Sequence, residues 1–178
     1  MNFRAFLAHH PVLIKKGGKG MAKALVVYFS KSGHTKRMAE AIAEGVGEAK
    51  VSVTVVEVAK AKAADLSGAD AVILGSPTYY GTMAAEMKEF VDKSVSLHGK
   101  LAGKVGGAFS SSGMLGGGNE TTVMSILEAL LIHGMVVVGN AKIAHYGPVA
   151  VGAPDKTALD ECKAYGRRIG ELTLKLVS

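Results

Sequence analysis

Short apolar runs alternate with longer segments of helical periodicity along most of this chain. The apolar runs predict five strands, at Ala24–Phe29, Val51–Val58, Ala71–Leu74, Val105–Ser110 and Met135–Val138. The first, third and last of these runs are continuously apolar, as expected for strands that are covered on both faces. The periodic segments predict four helices, at Thr35–Ala49, Met83–Ser96, Glu120–His133 and Asp155–Val177. A shorter turn of helix is predicted at Lys60–Leu66.

The order of these elements favours an α/β fold. Strands and helices that alternate with short connections predict a parallel sheet with right-handed crossovers and helices on both faces. Five strands favour the doubly wound, flavodoxin-like order 2-1-3-4-5, in which ligands bind at the switch point between the first and third strands. The run from Lys50 to Val58 alternates only in part, which suits a strand near the sheet edge.

The chain has 178 residues, enough for one domain with a buried core. We expect residues 1–20 to form a flexible N-terminal extension and residues 21–178 to form the folded domain. Residues 1–20 contain four basic residues and no acidic one, whereas residues 21–178 contain 17 basic and 15 acidic residues. The formal charge of +6 therefore comes mostly from the extension. Because its lysines have no interleaved aromatic residues, we expect no nucleic acid partner.

Two further features concern the environment of the protein. No apolar run reaches the roughly 18 residues that a membrane span needs. The single cysteine, Cys162, excludes an intrachain disulfide and fits a reducing compartment, so we expect the cytoplasm. Cys162 shares helical spacing with Ile169 and Leu172 in the last predicted helix, which favours a small core side chain over a reactive thiol.

The loop after the first strand has the composition of a phosphate-binding site. It contains Ser30, Lys31, Ser32, Gly33, His34 and Thr35 and leads directly into the first predicted helix. A helix N-terminus offers unpaired N–H groups and a partial positive charge, and Ser and Thr hydroxyls add donors. An ordinary helix start capped by Ser or Thr has the same composition.

The loop after the third strand carries two adjacent tyrosines. Its candidate ligand-binding residues are Pro77, Thr78, Tyr79, Tyr80, Gly81 and Thr82. Because this loop follows a buried strand, we expect it to reach the same sheet edge as the first loop. The tyrosines suit either stacking on a planar ligand or partial burial in an ordinary turn.

The loop after the fourth strand is rich in serine and glycine. Its candidate residues are Ser111, Ser112, Gly113, Met114, Leu115, Gly116 and Gly117. Glycines let a backbone approach a ligand closely and expose its N–H donors, although the same composition also suits a merely flexible loop.

The three loops together would supply a phosphate nest, an aromatic wall and a backbone wall, a combination that fits a flat ring system with a phosphate tail. FMN is the natural candidate. A Walker A loop is absent, as is a Gly-x-Gly-x-x-Gly motif after the first strand. A nucleophile elbow centred on Ser111 would need glycine at the position of Phe109. No Cys/His cluster has metal-ligand spacing, so we expect no metal.

A resemblance to a known family rests on several stretches taken in order. They are Tyr28–Ser30 with Gly33-His34, Gly75–Thr78 with Gly81, Phe109–Ser111, Gly116–Thr122 and His133–Val138. With these stretches the chain resembles the flavodoxin-like NAD(P)H:quinone oxidoreductases of the tryptophan-repressor-binding-protein (WrbA) type. Two segments are shorter here than in that family, Val58–Ala69 and Asn140–Asp155, and the chain has no Trp.

The resemblance implies an enzyme that uses FMN and passes two electrons from NADH or NADPH to a quinone. It implies that Ser30–Thr35 hold the FMN phosphate and that Pro77–Thr82 and Ser111–Gly117 flank the isoalloxazine ring. It aligns His133 with a family histidine near the flavin, as a candidate catalytic residue, although a histidine at a helix C-terminus is also favoured by the helix dipole. A homo-oligomer, dimer or tetramer, is implied too.

One alternative function remains open, that of a flavodoxin-type electron carrier that docks on protein redox partners. Carriers of that type tend to be strongly acidic. The balanced charge of residues 21–178 argues against this alternative.

Overall fold

A computed structural model describes residues 21–178. The predicted extension at residues 1–20 lies outside the described residues. The strands are β1 (Lys23–Tyr28), β2 (Ser52–Glu57), β3 (Ala71–Tyr79), β4 (Thr82–Met83), β5 (Val105–Ser112), β6 (Val136–Val137) and β7 (Val149–Val151). The helices are α1 (His34–Glu48), α2 (Ala85–Lys93), α3 (Asn119–Ile132) and α4 (Lys156–Val177). Short 3₁₀ turns span Val58–Lys60, Ala63–Gly68 and Ser94–Leu97, the first two at the predicted turn of helix.

The strands form a parallel sheet in the order β2-β1-β3-β5-β6. In its centre, Val26 of β1 lies between Val55 of β2 and Ile73 of β3, and Ile73 pairs in turn with Gly107 of β5. This order confirms the predicted doubly wound, flavodoxin-like topology. The partly alternating strand β2 lies at the sheet edge, as its pattern predicted.

The fifth sheet position differs from the predicted single strand at Met135–Val138. It is occupied by two short strands, β6 beside Val105-Gly106 and β7 beside Ser110–Ser112. Between them the chain leaves the sheet, and the Ala108 N–H donates instead to the Tyr165 hydroxyl at 3.1 Å. Burial raises the pKa of Tyr165 to about 12, so the hydroxyl keeps its proton. A side chain thus replaces the missing ladder bond.

The core has two parts, one on each face of the sheet. Helices α1 and α4 cover one face with the buried side chains Met38, Ile42, Val46, Cys162 and Ile169. Helices α2 and α3 cover the other face with Met87, Phe90, Val123 and Ile126. Burial raises the pKa of Cys162 to about 12, so it is a neutral core thiol, as its spacing predicted.

Helices α1 and α4 approach each other closely. A Cβ at Gly166 of α4 would overlap the backbone of Ile42, and a Cβ at Gly45 of α1 would overlap the Lys163 carbonyl. Only glycine fits at these two positions, which fixes how the pair of helices sits on the sheet. In the part of the chain from 21 to 178, none of the helices has the length and apolar character needed to cross a membrane.

Candidate functional site

The segments that follow β1, β3 and β5 meet at the carboxyl edge of the sheet. The Thr35 hydroxyl lies 2.9 Å from that of Ser111 and joins the start of α1 to the end of β5. The Thr78 hydroxyl, near the end of β3, lies 3.3 Å from the Gly118 carbonyl. The three candidate loops are therefore neighbours, at the switch point where ligands bind in this topology.

The start of α1 faces open space. Gly33 is its N-cap residue, with φ at +86°, and no side chain in the described structure caps the helix. A Cβ at Gly33 would meet no atom within 4 Å. The side chain of Thr35 is buried and turned toward Ser111, so it is not a cap either. An uncapped helix start with room in front of it suits an anion.

Ser30 adds a donor at the same place. Its hydroxyl is buried and finds no hydrogen-bond partner among residues 21–178. A buried hydroxyl without a partner is unfavourable by about 1–3 kcal/mol, and such a group is satisfied when a ligand or ion binds beside it. Lys31 and Ser32 are exposed beside it, and His34 is half-buried. The residues of this loop therefore fit a phosphate group.

The second segment is a hairpin rather than a loop leading into a helix. Strand β3 continues to Tyr79, so Pro77 and Thr78 lie within it, and β4 returns antiparallel with Tyr79 opposite Thr82. Its two turn residues, Tyr80 and Gly81, have φ of +49° and +82°, the left-handed pair of a tight type I′ turn.

This hairpin corrects the predicted helix at Met83–Ser96 and displays the tyrosines. Met83 belongs to β4, and α2 begins only at Ala85. Tyr79 packs edge-on against Phe29, with 6.3 Å between ring centroids, and keeps 40% of its surface exposed. Tyr80 is fully exposed. The hairpin thus presents aromatic surface at the sheet edge.

The third segment offers backbone more than side chains. Strand β5 runs to Ser112, so Ser111 and Ser112 are buried strand residues. The Ser112 hydroxyl donates to the Met114 carbonyl at 3.0 Å and accepts from the Asn119 amide at 3.1 Å. Residues 113–116 are exposed, and Gly117 is half-buried. Since the serine hydroxyls are engaged internally, the exposed backbone of this loop is what remains for a ligand.

The structure does not bring His133 to this edge. Helix α3 starts beside the glycine-rich loop and runs for 14 residues, about 20 Å, before His133 follows it. The Ser94 hydroxyl donates to the Val91 carbonyl at 2.6 Å, so it accepts the His133 Nε2–H at 2.7 Å. Burial and then the nearby His98 lower the pKa of His133. Within one chain, this neutral histidine cannot touch a ligand held by the three loops.

Two residues of the site were not among the predicted ones. Thr122 donates to the Thr78 hydroxyl at 2.9 Å, and Thr121 donates to the Gly81 carbonyl at 2.8 Å. Both belong to the Gly116–Thr122 stretch, where they follow the glycines directly. Their position directly after the glycines could have indicated that they belong to the site. Threonines in the first turn of a helix are also common without any functional role, so the sequence did not single them out.

Fold and site together define an α/β domain whose carboxyl sheet edge fits a phosphorylated, flat cofactor. Residues 25–127 match the family described as "Flavodoxin domain". The chain belongs to the flavodoxin family, a membership that implies FMN as the cofactor.

The relatives include both named carriers and named enzymes. A "Flavodoxin" of Aquifex aeolicus is 40% identical over 160 residues, which cover 85% of this chain and 86% of the relative. An "NAD(P)H dehydrogenase (quinone)" of Archaeoglobus fulgidus is 33% identical, covering 88% of this chain and all of the relative. Among solved structures, the "flavodoxin, WrbA-like protein" of Agrobacterium tumefaciens is 30% identical, with a TM-score of 0.75 and coverage of 86% and 98%. The resemblance to the WrbA type is thereby confirmed.

Proposed function

We propose that this protein is an FMN-dependent oxidoreductase that passes two electrons from NADH or NADPH to a quinone. One observation carries the proposal: an uncapped helix start with an unpartnered serine hydroxyl opens beside a hairpin of exposed tyrosines and a glycine-rich backbone. The donor and acceptor classes are supported by relatives named NAD(P)H dehydrogenase (quinone), with identities of 33–45%.

The phosphate of FMN would be held by Ser30–Thr35. The hydroxyls of Ser30 and Ser32 and the backbone N–H groups that begin α1 are the donors, and the exposed Lys31 adds positive charge. Donors that are already oriented need little rearrangement to hold a dianion, and the helix dipole adds to the attraction.

The flavin ring would lie between the hairpin Pro77–Thr82 and the segment Ser111–Gly117. Bound FMN supplies the hydride and electron-transfer chemistry, while the chain supplies position and field. Backbone N–H groups of the exposed glycine-rich loop would donate to polar atoms at the ring edge and stabilise negative charge there. Tyr79 and Tyr80 would offer a stacking surface to the ring and to a planar substrate.

The second candidate is an electron carrier for protein partners, favoured by the Aquifex aeolicus relative named flavodoxin. The charge of the described domain supports the enzyme instead. Residues 21–178 carry 17 basic and 15 acidic side chains, so they lack the acidic excess that steers an acidic carrier toward basic partners.

We include a homo-oligomer in the proposal. Val95 and Ile132 are each 72% exposed, and each is next in sequence to a member of the hydrogen-bonded pair Ser94 and His133. Leu131 is 55% exposed next to them. Grouped exposed apolar side chains favour an interface, and light scattering on the purified chain measures the number of copies.

A cytoplasmic location is also part of the proposal, and it is supported by the buried, neutral thiol of Cys162.

The test uses the full chain. A visible spectrum after purification, and again after addition of FMN, should show flavin bands near ~450 nm that stay with the protein on gel filtration. Oxidation of NADH and of NADPH is then followed with benzoquinone as acceptor. Steady turnover supports the enzyme. Bound flavin without turnover would leave the carrier, and a colourless protein that ignores FMN would refute both.

A further inference from the structure

Two of the three loops at the site are tied together before any ligand arrives. The Thr121 hydroxyl, in the first turn of α3, donates to the Gly81 carbonyl of the hairpin turn at 2.8 Å. It lies 2.9 Å from the Gly118 carbonyl, at the end of the glycine-rich loop. One hydroxyl therefore touches the backbone of both walls of the proposed flavin slot.

The two backbones are themselves in contact at this point. A Cβ at Gly118 would lie 3.0 Å from the Gly81 Cα and 3.1 Å from the Thr121 hydroxyl oxygen. Gly118 has φ at +89°, so glycine is favoured there on conformational grounds as well. Any rotation of the hairpin turn away from the glycine-rich loop would break the Thr121 bond, because that hydroxyl contacts Gly81 on one side and Gly118 on the other.

The hairpin turn needs such an anchor. Tyr80 holds a left-handed backbone conformation, which is unfavourable for a residue with a side chain, and its ring is fully exposed. No packing of its ring therefore fixes the turn. The other ties start from the strands of the hairpin, β3 and β4, and not from its turn: Thr78 to Thr122 at 2.9 Å, Thr82 to Ser125 at 3.2 Å and Thr78 to Gly118 at 3.3 Å.

We propose that Thr121 is a positioning residue, whose hydroxyl locks the Tyr80-Gly81 turn against the glycine-rich loop and so sets the slot between the two walls in advance of flavin binding. The inference rests on the proposed function for its consequence, because a slot held open in advance loses less conformational entropy when FMN binds. The lock itself is a property of the chain alone and can be measured without flavin.

The experiment compares Thr121→Val, Thr121→Ser and Thr157→Val with the full wild-type chain. Valine removes the hydroxyl and keeps the shape, and serine keeps the hydroxyl. Thr157 is the matched control, since it is an exposed first-turn threonine of α4 whose hydroxyl has no partner among residues 21–178. The first readout is the rate at which chymotrypsin cleaves the flavin-free protein after Tyr79 and Tyr80, relative to cleavage after Tyr146, which is 49% exposed in another segment.

The second readout is the Kd for FMN, from the fluorescence of a flavin titration. Thr121→Val should raise the relative cleavage rate and the Kd each by about threefold to tenfold, the effect of one hydrogen bond. Thr121→Ser should restore both values, and Thr157→Val should change neither. The thermal midpoint of the flavin-free protein should fall more in Thr121→Val than in Thr157→Val, because only Thr121→Val also loses a hydrogen bond.

The outcomes separate this inference from the proposed function. Unchanged cleavage in Thr121→Val, or a serine variant that is cleaved as fast as the valine variant, would overturn the lock whether or not FMN binds. Faster cleavage with an unchanged FMN affinity would overturn its effect on the slot. A wild-type chain that binds no FMN would refute the proposed function and, with it, that consequence, while the cleavage rates would still report the lock.

Discussion

Helices α1 and α4 pack side by side on one face of the sheet and begin at the same edge, yet their first turns are built differently. Helix α4 begins after Asp155, whose carboxylate accepts the Ala158 N–H at 2.8 Å. Helix α1 begins after Gly33 in a left-handed conformation, with no side-chain cap and open space in front.

The difference shows where the chain favours stability and where it leaves room for a ligand. A carboxylate or hydroxyl cap stabilises a helix by about 1 kcal/mol, and α4 has this contribution. Helix α1 lacks this stabilisation, and the unpartnered Ser30 hydroxyl beside the helix is a second unfavourable feature. Two such features on one loop are expected of a site whose partner is a bound anion.

The largest effect should come from breaking the contact that holds the two helices together. Gly166→Ala would force a methyl group into the backbone of Ile42, and we expect the free energy of unfolding to fall by about 3 kcal/mol. Urea unfolding of the flavin-free protein measures it. Gly47→Ala is the control, because a Cβ there meets no atom within 4 Å and alanine is the better helix former. Equal losses in the two variants would contradict the close packing.

Ser30→Ala tests the uncapped start of helix α1. We expect the Kd for FMN to rise about tenfold, because a hydrogen bond to a charged oxygen is lost. The free energy of unfolding of the flavin-free protein should stay the same or rise, since the hydroxyl is buried without a partner there. A flavin titration and urea unfolding give the two values. Loss of stability with unchanged affinity would show that the hydroxyl serves the fold alone.

Asp155→Ala tests the capped start of helix α4 and should change stability rather than FMN affinity. The lost cap should lower the free energy of unfolding by about 1 kcal/mol and leave the FMN affinity unchanged. Asp155→Asn, which keeps an oxygen acceptor, should recover most of the loss. If Asp155→Ala weakened FMN binding as much as Ser30→Ala, the contrast between the two helix starts would be wrong.

The fold could be predicted from the sequence because its central elements have simple periods. The buried strand at Ala71–Leu74 is a continuous apolar run, and the amphipathic helix at Thr35–Ala49 has apolar residues at helical spacing. Because such strands and helices alternate along the chain, few topologies are possible. The hairpin at Tyr79–Met83 has no such pattern, because its turn depends on a tyrosine in a conformation that tyrosine disfavours. The prediction of a single fifth strand was wrong for a related reason. Strand β6 has two residues and β7 has three, which are too few to show a hydrophobic period.

The candidate site was predictable by position but not by contact. Strand order alone brings the loops after β1, β3 and β5 to one edge. Composition could not say which hydroxyls face a ligand: Thr35 and Ser111 turn out to bond each other, whereas Ser30 has no partner in the described chain. His133 was placed by resemblance, and the length of α3 puts it at the far end of that helix.

His133 offers the smallest effect, at the end of the molecule remote from the proposed site. Its pKa is lowered by burial and by His98, so in the folded state it is neutral where an unfolded histidine, with a pKa near 6.5, begins to gain a proton. The unfolded state therefore binds more protons below about pH 7, and this contribution to stability is lost as the pH falls through about 6.5.

The change that removes this dependence is His133→Gln, whose amide can still donate to Ser94. Urea unfolding at several pH values between about 5 and 7.5 should give a smaller decrease for this variant than for the wild type. His98→Gln should reduce the decrease less, because His98 is exposed and its charge is only the second cause of the shift. Parallel pH curves for wild type and His133→Gln would mean that this histidine titrates alike in the folded and unfolded chain.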